Sequence, residues 1–373
     1  MRSVALIVAA MLLAAGCSAQ DDTGPSEALT ATLPTISPGP VVFPGEEWEY
    51  IETGDWSDLD RALAVDASTC VAVVKDGRLV HEAYFNGGSA ESSVRVYSIT
   101  KSLTSLLVGM AADDGVLGID ESASQWVDEW RATSAEQVTV RDLLSMTSGR
   151  EWSEATDRTL IRQVADQTAY AISLNQSATP GEWVYDNSAP QVLERVLAEA
   201  LTEDGDVVDM AEERLLKPLG MRHTRWPTDQ AGHATTYSGV ESTCRDMARI
   251  GHLVLQRGRW GDDQLVSEGY VEQMTTPSSG RNAAYGLLWW TNGKGRVVEV
   301  LRQAGFAQDK APYEGRIAPH VPADASWAFG YGNQYIAVVP GEDVVAVRLG
   351  RLPASADRVT FDSFTAAVLD GLE

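Results

Sequence analysis

Strand-forming runs lie near both ends of this chain and helical periodicity fills the middle. Thr69 to Val74 and Arg78 to Phe85 are rich in β-formers and flank Asp76-Gly77, a short hairpin signal. Gly286 to Thr291, Val297 to Arg302, Tyr335 to Val339 and Val344 to Arg348 read as strands near the other end. From about Asp120 to Ala231 the apolar residues recur at helical spacing, in segments such as Val140 to Met146 and Gln191 to Leu201, broken by Ser, Gly and Pro. Thr243 to Gln256 and Arg358 to Leu372 read as further helices. Such a distribution implies an α+β fold: an antiparallel sheet assembled from both chain ends and flanked by helices, with an all-helical subdomain inserted at about 116–235.

The first 17 residues read as a signal peptide. Arg2 supplies the charged region, Val4 to Leu13 the apolar stretch, and Ala14, Ala15 and Gly16 the small residues before Cys17. Leu13 to Cys17 also resembles a bacterial lipobox, which predicts lipidation of Cys17 and a membrane contact made only through that anchor; ordinary secretion with cleavage near Ala19 is the other reading. Residues 18–45, rich in Ser, Thr, Pro, Gly and Asp, read as a flexible linker, leaving 46–373 as the folded domain. The expected location is outside the cytoplasm.

In such a compartment Cys70 and Cys244 could pair, although the sequence does not show that they meet. The three cysteines are scattered and the five histidines lack paired ligand spacing, so no metal is expected. No glycine-rich phosphate loop is present, and no cofactor is expected. A formal charge of −24, from 29 basic and 53 acidic side chains, repels polyphosphate backbones and argues against nucleic acid as a partner.

The chemistry is concentrated in Ser98-Ile99-Thr100-Lys101. Past Ser98, Leu103, Leu106, Leu107 and Met110 form an apolar stripe that ends at Gly115, which places Ser98 at a helix start. A serine hydroxyl is a poor nucleophile at neutral pH and needs a base beside it; the i to i+3 spacing puts Lys101 on the same helix face. The N–H groups of a helix start also favour an oxyanion. Pro180-Gly181-Glu182-Trp183-Val184-Tyr185-Asp186-Asn187 adds a phenol and an amide that could complete a site with the pair.

These motifs, with Val138 to Gly149, Leu216 to Met221, Ser242 to Arg249 and Tyr285 to Trp290, resemble the serine β-lactamase and penicillin-binding family from about residue 60 onward. The resemblance is to its class C-like branch, which includes esterases, D-amino-acid peptidases and 6-aminohexanoate-oligomer hydrolases. It implies the β-lactamase-like fold, attack by Ser98, proton exchange through Lys101 and Tyr185, orientation of substrate by Asn187, and hydrolysis of an acyl-enzyme by water. Many members carry Lys-Thr-Gly or His-x-Gly on the strand flanking the site. The matching stretch here is Ala328-Phe329-Gly330-Tyr331, which has no cation. Gly330 would still let substrate approach the strand, and the N–H of Tyr331 is a candidate oxyanion donor beside that of Ser98.

Trp183 and Trp327 are candidate substrate contacts, since both fall near these motifs. Ser148 to Ala155 is similar to the 6-aminohexanoate-hydrolase branch, but Ala155 stands where that branch can carry a substrate-contacting tyrosine, which argues against nylon oligomers. Without a strand cation for a substrate carboxylate, the expected substrates are small carboxylic esters or amides. Two alternatives stand beside them: β-lactams or cell-wall D-amino-acid peptides, and a surface binding protein that keeps the fold without turnover.

Overall fold

The computed structural model describes residues 41–65, 67–201, 205–299, 302–303, 306–307, 311–351 and 359–373. The signal peptide, Cys17 and most of the expected linker lie outside the described residues.

Six strands form one antiparallel sheet: β1 (Ser68–Lys75), β2 (Arg78–Tyr84), β3 (Trp290–Thr291), β4 (Ser326–Gly330), β5 (Gln334–Val339) and β6 (Val344–Gly350), in the order β2-β1-β6-β5-β4-β3. The expected pairing of the two chain ends is the β1–β6 ladder, in which Ala72 faces Val347. The β1–β2 hairpin turns through Asp76 at φ 50° and Gly77 at φ 73°, the left-handed pair that a tight right-twisted hairpin needs.

The α-helices among the described residues include α1 (Ser57–Val65), α2 (Ile99–Asp113), α3 (Val140–Leu144), α4 (Glu154–Arg162), α5 (Gln167–Ser173), α6 (Ser188–Ala200), α7 (Cys244–Leu255) and α8 (Phe361–Gly371). Strand alternation sorts the two layers. Ala328, Gly330, Ile336 and Val345 face α2 and α7, whereas Trp327, Phe329 and Tyr335 face α8, where Tyr335 stacks on Phe364. The segments expected as an inserted helical subdomain hold α3 to α6.

Three expectations change. Of Gly286 to Thr291 only Trp290 and Thr291 are strand, because Gly286, Leu287 and Leu288 donate their N–H groups to Trp289, Met274 and Leu144 in a turn that leaves no ladder edge. Val297 to Arg302 does not join the sheet: Gly295–Val297 pairs with Tyr313–Gly315, and Arg302–Gln303 with Phe306–Ala307. Helix α2 is not amphipathic but buried almost all round. Apart from Lys101 and the terminal Asp113, its polar residues are small hydroxyls; Ser102 donates to Leu288 O at 2.7 Å and Thr104 to Thr236 O at 2.8 Å, so these two are buried with partners.

Residues 41–45, assigned to the linker by composition, pack on the domain. His252 donates to Val42 O at 2.9 Å, and Arg249 donates to Gly45 O at 3.0 Å. Burial among Phe43, Trp48 and Trp260 pulls the pKa of His252 down to about 4 and keeps it neutral.

Cys70 on β1 and Cys244 at the start of α7 are joined in a disulfide across 174 positions of sequence. Closing so long a loop restricts the unfolded chain, so replacing both cysteines by serine should lower the free energy of unfolding by about 2–4 kcal/mol. Denaturant melts of the oxidised protein and the double variant measure this; coincident midpoints would show that the bridge does not stabilise the fold.

Candidate functional site

The site is assembled around the start of α2. Ser98 is the N-cap residue, at φ −70° and ψ −4°, and its side chain makes no capping bond. Its Oγ instead accepts a hydrogen bond from Lys101 Nζ at 3.0 Å. Tyr97, just before it, sits at φ 49°, a left-handed conformation that costs a non-glycine residue about 1–3 kcal/mol. That turn presents Ser98, half-buried, at the mouth of a helix whose interior is closed to solvent.

Lys101 is 1% exposed, and an ammonium that deep needs acceptors. Besides Ser98 it donates to Asn187 Oδ1 at 2.7 Å and to Tyr237 O at 2.8 Å. Its Nζ also lies 5.1 Å from the centre of the Tyr185 ring and 5.6 Å from that of Tyr237. The structure therefore brings Ser98, Lys101, Tyr185 and Asn187 together, as their motifs implied. Asn187 holds the lysine through its oxygen; its Nδ2 donates no hydrogen bond among the described residues, which leaves it available to a ligand.

Asp186, between the tyrosine and the asparagine, points away into the start of α6. It accepts from the Ser188 hydroxyl at 2.9 Å and the Ala189 N–H at 2.6 Å. Burial nevertheless pushes its carboxyl up from the usual value.

The strand wall is β4. A Cβ on Gly330 would stand 2.3 Å from Val96 O, so only glycine lets β4 reach the turn carrying Ser98. Just past it, the Tyr331 ring meets that of Tyr97 edge to face at 5.3 Å. Neither the Ser98 N–H nor the Tyr331 N–H donates to a loop or turn carbonyl among the described residues. Ala328, where a cation could have stood, is fully buried on the same strand face as Gly330.

Trp327 is not a site residue. Strand alternation turns it to the opposite face of the sheet from Gly330, where it is 0% exposed and its Nε1 donates to Thr365 of α8 at 2.9 Å. Trp183 is 9% exposed and packs within an aromatic group of Tyr185, Tyr285 and Trp290. It backs Tyr185, with only an edge left for a ligand. Burial pushes the hydroxyl of Tyr285 well above its usual pKa, so that ring stays neutral.

Two participants carried no readable signal. Tyr237 contributes a backbone carbonyl, which any residue type would supply. Asp157, buried in the first turn of α4, accepts from Trp152 Nε1 at 3.2 Å and lies 3.4 Å from the Asn187 N–H, so it braces the site from the insertion. Ala155, one turn edge away, is exposed. Among the described residues no cluster of three His, Cys, Asp or Glu could hold a metal.

Comparison with known proteins gives a match to the β-lactamase family over residues 63–367. The chain is 22% identical over 267 residues to a 6-aminohexanoate-dimer hydrolase of Paenarthrobacter ureafaciens, covering 64% of this chain and 68% of that protein. A solved structure described as a 6-aminohexanoate-dimer hydrolase from Bacillus anthracis superposes with a TM-score of 0.66 at 20% identity, over 80% of this chain and 78% of that one. A class C β-lactamase solved with cefoxitin gives 0.60 at 20% identity, over 84% and 96% of the two chains.

The Gly330 contact is directly testable. Gly330→Ala should force β4 off the Val96 turn and lower stability by about 1–3 kcal/mol in thermal unfolding. Gly269→Ala is the control, since a Cβ there meets nothing within 4 Å. Equal melting of the two variants would refute the close approach.

Proposed function

Because the chain belongs to the β-lactamase family of serine hydrolases, we propose that Ser98 is its nucleophile and that its substrates are carboxylic esters or small amides. The observation that carries this reading is the 3.0 Å contact from Lys101 Nζ to Ser98 Oγ, with the same nitrogen anchored by Asn187 and Tyr237 O. A lysine held at three points cannot swing away from the serine, and that fixes the geometry a proton transfer needs.

In this arrangement Ser98 Oγ attacks the carbonyl carbon as its proton passes to the Lys101–Tyr185 pair. The N–H groups of Ser98 and Tyr331 receive the oxyanion. The pair then returns the proton to the departing oxygen or nitrogen, and water, activated by the same pair, cleaves the acyl-enzyme. Asn187 offers its Nδ2 to the substrate. An ammonium that donates to Ser98 Oγ cannot also accept from it, so the competent pair has already lost one proton, whichever of the two side chains gave it up.

The absence of a cation at Ala328 supports substrates that need no carboxylate partner on the strand, and weighs against penicillins. The N-terminal segment supports export, with Cys17 as a lipid anchor.

The test is release of p-nitrophenol from short-chain esters. Ser98→Ala should lower kcat/KM by about 10⁴-fold or more. Turnover that survives in Ser98→Ala would remove Ser98 from the chemistry.

A further inference from the structure

A cation absent from β4 is present on the segment that leads into α2. Arg95, three residues before Ser98, is exposed, and among the described residues it forms no ion pair. Other exposed arginines do otherwise: Arg131 pairs with Asp128, Arg225 with Glu241 and Arg281 with Glu182. Glu241, the register partner of Arg95 on the neighbouring strand, pairs with Arg225 instead, so the Arg95 guanidinium has no ion-paired carboxylate among the described residues.

Its position is fixed rather than loose. The guanidinium carbon lies 5.3 Å from the centre of the Tyr97 ring, the residue adjoining Ser98, and one nitrogen donates to Ser238 Oγ at 3.3 Å. Ser238 follows Tyr237, whose carbonyl holds Lys101. Gln334 of β5 clamps the Arg95 carbonyl at 2.9 Å, tying its backbone to the sheet. Stacking occupies the face of a guanidinium and leaves the in-plane N–H edge for a carboxylate. The Tyr97 ring in turn touches Tyr331, so cation, ring and candidate oxyanion donor form one row along the mouth of the site.

We infer that Arg95 is the anion-recognising residue of this site, and that the preferred substrates are esters or amides bearing a carboxylate. This rests on the reading of Ser98 as the nucleophile of an acyl-transfer enzyme. A net charge of −24 repels anionic substrates at long range, so a bound carboxylate requires a local cation, and Arg95 is placed to be one. The strand position is vacant because the recognition has moved to the segment that leads into α2.

The experiment uses the full chain and matched esters. p-Nitrophenyl hexanoate is compared with mono-p-nitrophenyl adipate, which adds a carboxylate to the acyl side; phenyl acetate is compared with para-acetoxybenzoate, which adds one to the leaving group. In wild type, kcat/KM for at least one anionic ester should exceed that for its neutral partner, and the preference should shrink as salt rises. Arg95→Gln should lower that anionic-to-neutral ratio by about tenfold or more, chiefly through KM, and Arg95→Lys should restore part of it. If Arg95→Gln slows neutral and anionic esters alike, or changes neither ratio, the inference is wrong while the serine hydrolase reading stands. If no ester is turned over in a Ser98-dependent way, both are wrong.

Discussion

The buried ammonium of Lys101 is the constraint on which the rest of the site depends. At 1% exposure it has lost its water, and its nitrogen donates to Ser98 in its own helical turn and to two distant segments, Asn187 and the carbonyl of Tyr237. None of these can move far without leaving a desolvated charge unsatisfied, which costs more than the hydrogen bond itself contributes. The insertion must therefore dock so that Asn187 reaches α2, and the segment before β-bridged Glu241 must run past the same nitrogen. Asp157 and Asp186, both buried, extend this requirement outward by fixing the backbone on either side of Asn187.

The sheet supplies the second half of the arrangement. Strands from the two chain ends pair in register, and Gly330 lets β4 press its edge against Val96, immediately before the strained Tyr97. Strain at Tyr97 is held by what surrounds it: the ring lies between the Arg95 guanidinium and the Tyr331 ring, and the Val96 N–H is bonded to Val240 O at 2.8 Å. Ser98 is thus presented by a turn that both the sheet and the helical layer over-determine. The disulfide between Cys70 and Cys244 ties the interior strand β1 to the start of α7.

The parts of this protein that follow local rules were legible in the sequence. Asp76-Gly77 read as a hairpin because only certain residues tolerate its dihedrals, and the Ser-x-x-Lys pair read as one helix face because its spacing is local. What was not legible depended on long-range partners. The stripe Leu103, Leu106, Leu107 and Met110 marked one buried face of α2, yet Ser102 and Thr104 are buried too, since carbonyls of Leu288 and Thr236 meet them. Trp327 lay close in sequence to the strand motif but faces the far side of the sheet, a consequence of alternation that the assigned register of β4 makes plain. Tyr237 acts through its backbone, and the Arg95 guanidinium forms no ion pair among the described residues because its cross-strand neighbour Glu241 pairs with Arg225. Neither property is written in residue type.

An activated Ser98 is tested most directly by a covalent label. Treatment of the protein with a fluorophosphonate, followed by intact-mass and peptide mapping, should give a single adduct on Ser98 that forms far more slowly when Lys101 is replaced by methionine. No adduct, or an adduct on another residue formed at the same rate in both proteins, would contradict the account.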